Sequence, residues 1–120
     1  MIRTWDESPC LLLGDTNCGK RGLDEEKPQG AKFQREHDWL VAIDRRNWAD
    51  AFRHLHGDRR EYTWYSHRDN GFRLDYAITS PALAAGIRRV EHNWAQDPAR
   101  PGRRDAVSDH AALIIELDTG

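Results

Sequence analysis

The chain has 120 residues, which is enough for one compact domain and too few for two. Its composition, 38% hydrophobic and 32% charged, is typical of a globular protein. The formal net charge of −2 argues against a strongly basic nucleic-acid-binding module. Three arginine pairs could still form a local phosphate-facing patch, although each pair alone is better explained as solvated surface: Arg59–Arg60, Arg88–Arg89 and Arg103–Arg104.

Two cysteines, Cys10 and Cys18, are too few for a disulfide framework. The segment Met1–Asp6 lacks the apolar core of a signal peptide. The longest apolar run, Leu11–Leu13, is too short to cross a bilayer. By default we therefore expect a cytoplasmic protein without a membrane segment.

The N-terminal third predicts one strand, one long loop and one helix. Cys10–Gly14 is an apolar run that ends in glycine, which predicts a buried strand leading into a functional loop. Cys18–Gly30 has no hydrophobic period and predicts a long loop, functional or mobile. From Ala31 onward, five residues recur at helical spacing and predict one face of an amphipathic helix: Phe33, His37, Leu40, Val41 and Asp44.

The middle of the chain predicts a short helix followed by a hairpin. Asn47–Leu55 is expected to be helical, with Gly57 as its stop. Tyr62–Ser66 is rich in aromatic and β-branched residues, as strands are. His67–Gly71 has turn composition, and Phe72–Thr79 alternates in polarity with the period of a half-buried strand.

The C-terminal third begins with a helix signal in Ser80–Gly86, where a capping serine precedes proline and a glycine ends the segment. Ile87–Trp94 predicts a strand, Asp97–Asp105 a surface loop, and Ala111–Leu117 a final buried strand. Helices and strands are mixed in runs, so the predicted class is α+β, or α/β in a loose sense.

Three short polar motifs lie beside predicted strands. In Gly14-Asp15-Thr16-Asn17, Asp15 could act as a general base toward water, and Asn17 could hold a phosphate oxygen or a metal-bound water. The simpler alternative for this motif is an Asx-type turn after a strand.

Ser108-Asp109-His110 precedes the last predicted strand. Asp109 offers a hard oxygen ligand for magnesium or manganese, and a protonated His110 could place positive charge beside a phosphoryl transition state. A plain polar turn is an equally good interpretation of this motif taken alone.

The third motif is Arg73-Leu74-Asp75-Tyr76, in which Asp75 lies within a predicted strand. Aspartate is a poor strand former, and a buried carboxylate needs a partner. His110 is the obvious one, and such a pair would fix the histidine tautomer and favour the imidazolium form. The alternative is a surface carboxylate paired with Arg73 or Arg88.

These motifs, together with Tyr62-Thr63-Trp64-Tyr65 and with Gly71–Ser80, resemble the endonuclease/exonuclease/phosphatase superfamily. The resemblance runs from about Leu11 to the last strand. It implies the deoxyribonuclease I fold, a four-layer α/β/β/α sandwich of two sheets covered by helices, of which this chain would be the C-terminal half. Tyr62–Ser80 is most similar to the exonuclease III and abasic-site endonuclease branch.

The resemblance also implies roles. Asp15 matches the aspartate that orients or deprotonates water, Asn17 the asparagine that positions the phosphate, and Asp75 and His110 the hydrogen-bonded catalytic pair. Asp109, and Asp15 as well, match carboxylates near the metal, Mg²⁺ or Mn²⁺. Three candidate substrate contacts lie where abasic-site enzymes build a hydrophobic pocket for a base-less sugar: Trp64, Phe72 and Leu74. Arg73 is a further candidate substrate contact. Aromatic residues on strands are usually core, which is the alternative for these positions.

One departure from the pattern concerns the N-terminal half of such domains, which carries an early asparagine and a glutamate metal ligand. Here Gly14 already begins the Gly-Asp-x-Asn motif. We therefore expect half of a site, with unpaired sheet edges, and a missing half supplied in cis or by another chain. The expected activity is metal-dependent hydrolysis of phosphodiester bonds in nucleic acid, with DNA as the expected substrate. The alternatives are a phosphoesterase for lipid or small phosphoesters and a non-catalytic binding module.

Overall fold

A computed structural model of the chain describes residues 6–20, 22–28, 34–94 and 108–119. Within these ranges the chain forms three helices and seven strands. The helices are α1 (Gln34–Arg45), α2 (Ala51–His56) and α3 (Pro81–Ala84). The strands are β1 (Leu11–Asp15), β2 (Ala49–Asp50), β3 (Trp64–Tyr65), β4 (Gly71–Phe72), β5 (Asp75–Thr79), β6 (Ile87–Asn93) and β7 (Ala112–Leu117). None of the helices in the described ranges is long and apolar enough to cross a membrane.

The strand β5 is the centre of the fold. It pairs antiparallel with β1 on one side and with β2 on the other. Successive side chains of a strand point to opposite faces, and both faces of β5 are covered. Tyr76 and Ile78 pack with Leu40 and Ile43 of α1, whereas Ala77 packs in a second core with residues of α2 and of the antiparallel pair β6–β7.

The resulting order of layers is helix, sheet, sheet. This arrangement confirms the predicted α+β class and corresponds to part of the four-layer sandwich that the resemblance implied. The predicted hairpin is also present, since β3 pairs antiparallel with β4.

The prediction that β1 is buried was wrong. Leu12 and Leu13 are 36% and 58% exposed, although the run is fully apolar. The reason is that β5 covers one edge of β1, and no described strand pairs with its other edge. An apolar edge strand of this kind is a surface that favours pairing with a further strand.

Two predicted elements in the middle of the chain also have different boundaries. Asn47–Leu55 is not one helix, because Asp50 is extended and caps α2 by accepting a hydrogen bond from the Arg53 amide at 3.5 Å. Gly57, with φ of +61°, ends α2 as predicted. In place of a single strand Phe72–Thr79 there are two, β4 and β5. The strand is interrupted because the Arg73 amide donates to the Asp24 carbonyl and the Leu74 amide donates to the Thr63 hydroxyl, instead of to a neighbouring strand.

The predicted helix Ser80–Gly86 is shorter than expected and is limited to α3. The Ser80 side chain does not cap it, because its hydroxyl donates to the Ser8 carbonyl at 2.6 Å. Three predicted features lie outside the described residues: the start of the first helix at Ala31 and Phe33, the loop Asp97–Asp105, and the pair Arg103–Arg104.

The long loop predicted from Cys18 to Gly30 has no helix or strand in its described part, yet it is anchored by a buried network of charges. Arg73 is 0% exposed, as is Asp24 in the loop. The Arg73 Nε donates to Asp24 Oδ1 at 2.8 Å, and its two terminal nitrogens donate to the Asp50 carboxylate. The guanidinium also lies over the Tyr76 ring, 4.0 Å from its centroid.

Electrostatics explain why this network stays ionised. Burial lowers the pKa of Arg73. The surrounding groups, among them the carboxylates of Asp50 and Asp24, raise the pKa by more than burial lowers it, so the net shift is upward. Burial raises the pKa of Asp24, and the Arg73 charge and hydrogen bonds outweigh it, so the net shift is downward. Beyond Cys18, which packs in the core, paired buried charge therefore anchors the described part of the loop.

Candidate active site

The pairing of β1 with β5 brings two carboxylates together. Asp15 is opposite Asp75 at the end of both strands. The neighbouring pair is hydrogen-bonded, because the Thr16 amide donates to the Leu74 carbonyl at 2.9 Å. Hydrogen-bonded and non-hydrogen-bonded pairs alternate along an antiparallel ladder. Asp15 and Asp75 therefore form a non-hydrogen-bonded pair, whose side chains lie close together on one face of the sheet.

The turn after β1 gives Asp15 two roles. Its Oδ1 accepts a hydrogen bond from the Asn17 amide at 2.8 Å, which is the Asx-type turn anticipated as an alternative. Asn17 has φ of +54°, a conformation that asparagine tolerates better than most residues, and it is exposed. The other oxygen of Asp15 faces His110, with Oδ2 3.8 Å from Nε2.

His110 lies between the two carboxylates. A backbone bridge to Trp64 of β3 fixes its main chain, and its amide donates to the Ser108 hydroxyl at 3.1 Å. Its Nδ1 is 2.8 Å from Asp75 Oδ2. The structure thus contains the Asp75–His110 pair that the sequence suggested, and Asp75 is not paired with Arg73 or Arg88.

The surroundings of His110 favour its charged form. Partial burial lowers the pKa of the imidazole, but the hydrogen bond to Asp75 and the negative charges of Asp75, Asp15 and Asp109 raise it more. The net shift is upward. A histidine in this setting can present a protonated Nε2 toward an anion that approaches from the Asp15 side.

The same three residues could hold a metal ion. Asp15, Asp75 and His110 each offer a ligand atom, and these atoms lie within 4.8 Å of one another. The carboxylates suit a hard divalent cation. His110 suits it less, since a protonated imidazole with Nδ1 bonded to Asp75 is not a ligand. Asp109 is exposed and lies outside this group, so its role as a ligand stays a prediction.

The candidate substrate contacts are less accessible than predicted. Phe72 and Leu74 are 4% and 5% exposed and form a small core with Trp64. The rings of Trp64 and Phe72 are 5.8 Å apart between centroids. Only Trp64 is partly exposed, beside His110. Arg73 is buried among Asp24 and Asp50, so the prediction that it contacts the substrate does not fit the structure.

Sequence reasoning did not assign a role to two threonines behind the site. Thr16 Oγ1 donates to the Leu74 carbonyl at 3.0 Å, and Thr63 Oγ1 accepts from the Leu74 amide at 2.9 Å. Threonine is common in strands for its shape alone. Nothing in the local pattern therefore distinguishes these hydroxyls from ordinary strand residues.

Comparison with known proteins points to DNA-processing nucleases, although no profile of a known protein family matches the chain. An exodeoxyribonuclease of Streptococcus pneumoniae is 28% identical over 93% of this chain and 42% of its own length. Recombination repair protein 1 of Drosophila melanogaster is 32% identical over 70% of this chain and 14% of its own. The structure of a 3′ phosphatase from Neisseria bound to a product DNA hairpin superimposes with a TM-score of 0.72 and 26% identity, over 92% of this chain and 45% of that one.

The chain therefore spans less than half the length of the relatives that it matches. The matches to the exodeoxyribonuclease and to the 3′ phosphatase extend over more than nine tenths of this chain. The shared sequence and the shared architecture relate this chain to part of the domain of the exonuclease III and abasic-site endonuclease branch of the endonuclease/exonuclease/phosphatase superfamily.

Proposed function

We propose that this chain contributes to metal-dependent hydrolysis of phosphodiester bonds in DNA. The observation that carries the proposal is the position of His110, with Nδ1 2.8 Å from Asp75 and Nε2 3.8 Å from Asp15. A charged imidazole oriented by one carboxylate and facing a second is an arrangement suited to phosphoryl chemistry. The related nucleases support this assignment.

Each residue has a part that follows from its contacts. Asp75 holds the imidazole in one orientation and stabilises its charge. His110 then presents Nε2–H to a phosphoryl oxygen and stabilises the negative charge that develops there. Asp15 is exposed at the strand end, where it can orient and deprotonate the attacking water. Asn17, exposed two residues later, would bind a phosphate oxygen through its amide.

The proposed cofactor is Mg²⁺ or Mn²⁺, held by carboxylates of Asp15 and Asp109. When bound, such an ion neutralises charge on the phosphate and acts as a Lewis acid. Oxygen ligands of this kind are the ones that both ions prefer. His110 is better placed as a hydrogen-bond donor than as a ligand, since the neighbouring carboxylates raise the pKa of its imidazole and so favour the protonated form, in which Nε2 carries a hydrogen.

A further proposal concerns the remainder of the domain. We infer that β1 receives an additional strand, supplied in cis or by another chain. The supporting observations are the apolar edge of β1, with Leu13 58% exposed, and the fact that the relatives are more than twice as long as the matched region. We expect full activity only when that part of the domain is present.

The test is hydrolysis of abasic duplex DNA, 3′-phosphorylated duplex DNA and inositol phosphates with Mg²⁺. Both the chain alone and the chain fused to the N-terminal part of the Neisseria enzyme are assayed. We expect DNA cleavage by the fusion and a loss of about 10²–10⁴-fold in kcat for His110→Ala. The control is His54→Ala, because His54 is exposed on α2.

Three outcomes would contradict the proposal. Cleavage of inositol phosphates alone would identify a phosphoesterase for small substrates, for which the net charge of −2 is no obstacle. Equal rates for His110→Ala and His54→Ala would remove His110 from the reaction. Binding of DNA by the folded fusion without any cleavage would indicate a binding module.

A further inference from the structure

A fully buried threonine lies directly behind the Asp75–His110 pair. Thr63, 0% exposed, precedes β3. Its Oγ1 accepts hydrogen bonds from the amides of Leu74 at 2.9 Å and of Asp75 at 3.3 Å. Because Asp15 and Asp75 form a non-hydrogen-bonded pair, the Asp75 amide points away from β1. The hydroxyl oxygen of Thr63 accepts the hydrogen bond from this amide.

The main chain of the same residue bonds the segment that carries His110. The Thr63 carbonyl accepts from the amide of Ala111, the next residue after His110, at 2.9 Å. Trp64, the next residue after Thr63, forms a backbone bridge with His110 itself. One residue therefore joins the main chain beside Asp75 to the main chain beside His110, although the two side chains come from positions 35 residues apart.

We propose that Thr63 is a positioning residue, which sets the distance between the carboxylate of Asp75 and the imidazole of His110 through its hydroxyl and its carbonyl. Valine has the same shape and no acceptor, so Thr63→Val would leave the buried Leu74 amide without a partner. Relief of that loss requires the Arg73–Leu74 peptide, which directly precedes Asp75, to move. A displacement on the order of 1 Å at a reacting group can reduce a rate by about 10²-fold.

The effect on rate rests on the proposed function, whereas the hydrogen-bond geometry does not. The primary readout is therefore the Nδ1 proton of His110 in the NMR spectrum of the 120-residue chain, identified by its absence in His110→Ala. We expect a downfield signal in the wild-type chain. Thr63→Val should displace or broaden it, and Thr63→Ser, which keeps the hydroxyl, should restore it.

The chain offers a matched control in Thr79. Thr79 is also 0% exposed and lies in the same strand as Asp75. Its Oγ1 is buried and has no hydrogen-bond partner among the described residues. Thr79→Val makes the same chemical change at an equally buried position and removes no observed bond. It should leave the His110 signal in place and, in the active fusion, the rate unchanged.

Two results would overturn the proposal: an unchanged His110 signal in a folded Thr63→Val variant, or a failure of Thr63→Ser to restore it. If Thr63→Val does not fold, hydrogen exchange of the wild-type chain decides. We expect a protected Asp75 amide, and exchange as fast as that of an exposed loop amide would refute the bond. A displaced signal together with an undiminished rate in His110→Ala would reject the proposed function and leave the positioning role intact.

Discussion

Replacement of Arg73 by methionine tests the buried charge network that holds the loop beneath the site. Methionine replaces the apolar stem of the side chain but lacks the guanidinium, so it removes all three hydrogen bonds to carboxylates. Asp24 retains Arg53, whose Nη2 lies 2.6 Å from Asp24 Oδ1. Asp50, 7% exposed, loses the guanidinium that bonds both of its oxygens. The variant therefore leaves one buried carboxylate with its main partner removed.

Loss of one partner from a buried ion pair costs about 3–5 kcal/mol. We expect Arg73→Met to lie toward the lower end, since Arg53 still compensates Asp24. For a chain of this length, that corresponds to a fall in Tm of roughly 10–20 °C. The assay is urea and thermal unfolding followed by circular dichroism. Asp50→Asn in the Arg73→Met background should recover part of the loss, because it removes the uncompensated charge and keeps a helix-capping oxygen.

The matched control is Arg89→Met. Arg89 also bonds two carboxylates, Glu91 and Glu116, at 2.7–2.9 Å, but all three side chains are exposed. Exposed pairs of this kind contribute little to stability. Equal unfolding midpoints for Arg73→Met and Arg89→Met would refute the reasoning, because burial is the difference between the two arginines.

Three further predictions concern pH and backbone packing. The pKa of Asp24 is lowered in the folded chain. The stability that Asp24 contributes is therefore present above its unfolded pKa of about 3.9 and is lost as the pH falls through the folded pKa. Measurement of the unfolding free energy at decreasing pH tests this prediction. The pKa of His110 is raised, so its charged form is lost as the pH rises through that pKa. The hydrolysis rate of the fusion should decrease over the same pH range. In Asp75→Asn this decrease should occur at lower pH. Gly86→Ala should destabilise more than Gly71→Ala in thermal unfolding. A Cβ at Gly86 would lie 2.1 Å from the backbone carbonyl oxygen of Asp118, whereas at Gly71 the nearest atoms, 2.7 Å away, belong to tyrosine side chains.

The sequence predicted the site better than it predicted the surroundings of the site. The carboxylate in a strand at Asp75 required a partner, and His110 was a chemically suitable one, so the pair could be inferred from residue types. The ion pair between Asp24 and Arg73 could not, since 49 residues separate them and no periodicity marks either one. A loop without a hydrophobic period was therefore expected to be functional or mobile, whereas its described part is anchored by charge.

The exposure of β1 was missed for a different reason. An apolar run predicts a strand and says nothing about which element covers it, so Leu12 and Leu13 were expected to be buried. Strand β2 was missed because two residues are too few to show a period of two. The break between β4 and β5 depends on Thr63 and Asp24, which accept the amide hydrogens of Leu74 and Arg73 from positions far away in the sequence.

The most direct test of the proposed site is the turnover number of Asp75→Asn on DNA, measured with Mg²⁺ in the active fusion. Asparagine keeps the shape of Asp75 but removes the charge that stabilises the imidazolium of His110, so we expect kcat to fall by about 10²–10⁴-fold. Asp118→Asn, at an exposed carboxylate beyond the end of β7, serves as the control and should retain the wild-type rate. Equal turnover in the two variants would contradict the assignment of Asp75 and His110 as the pair that acts on the phosphate.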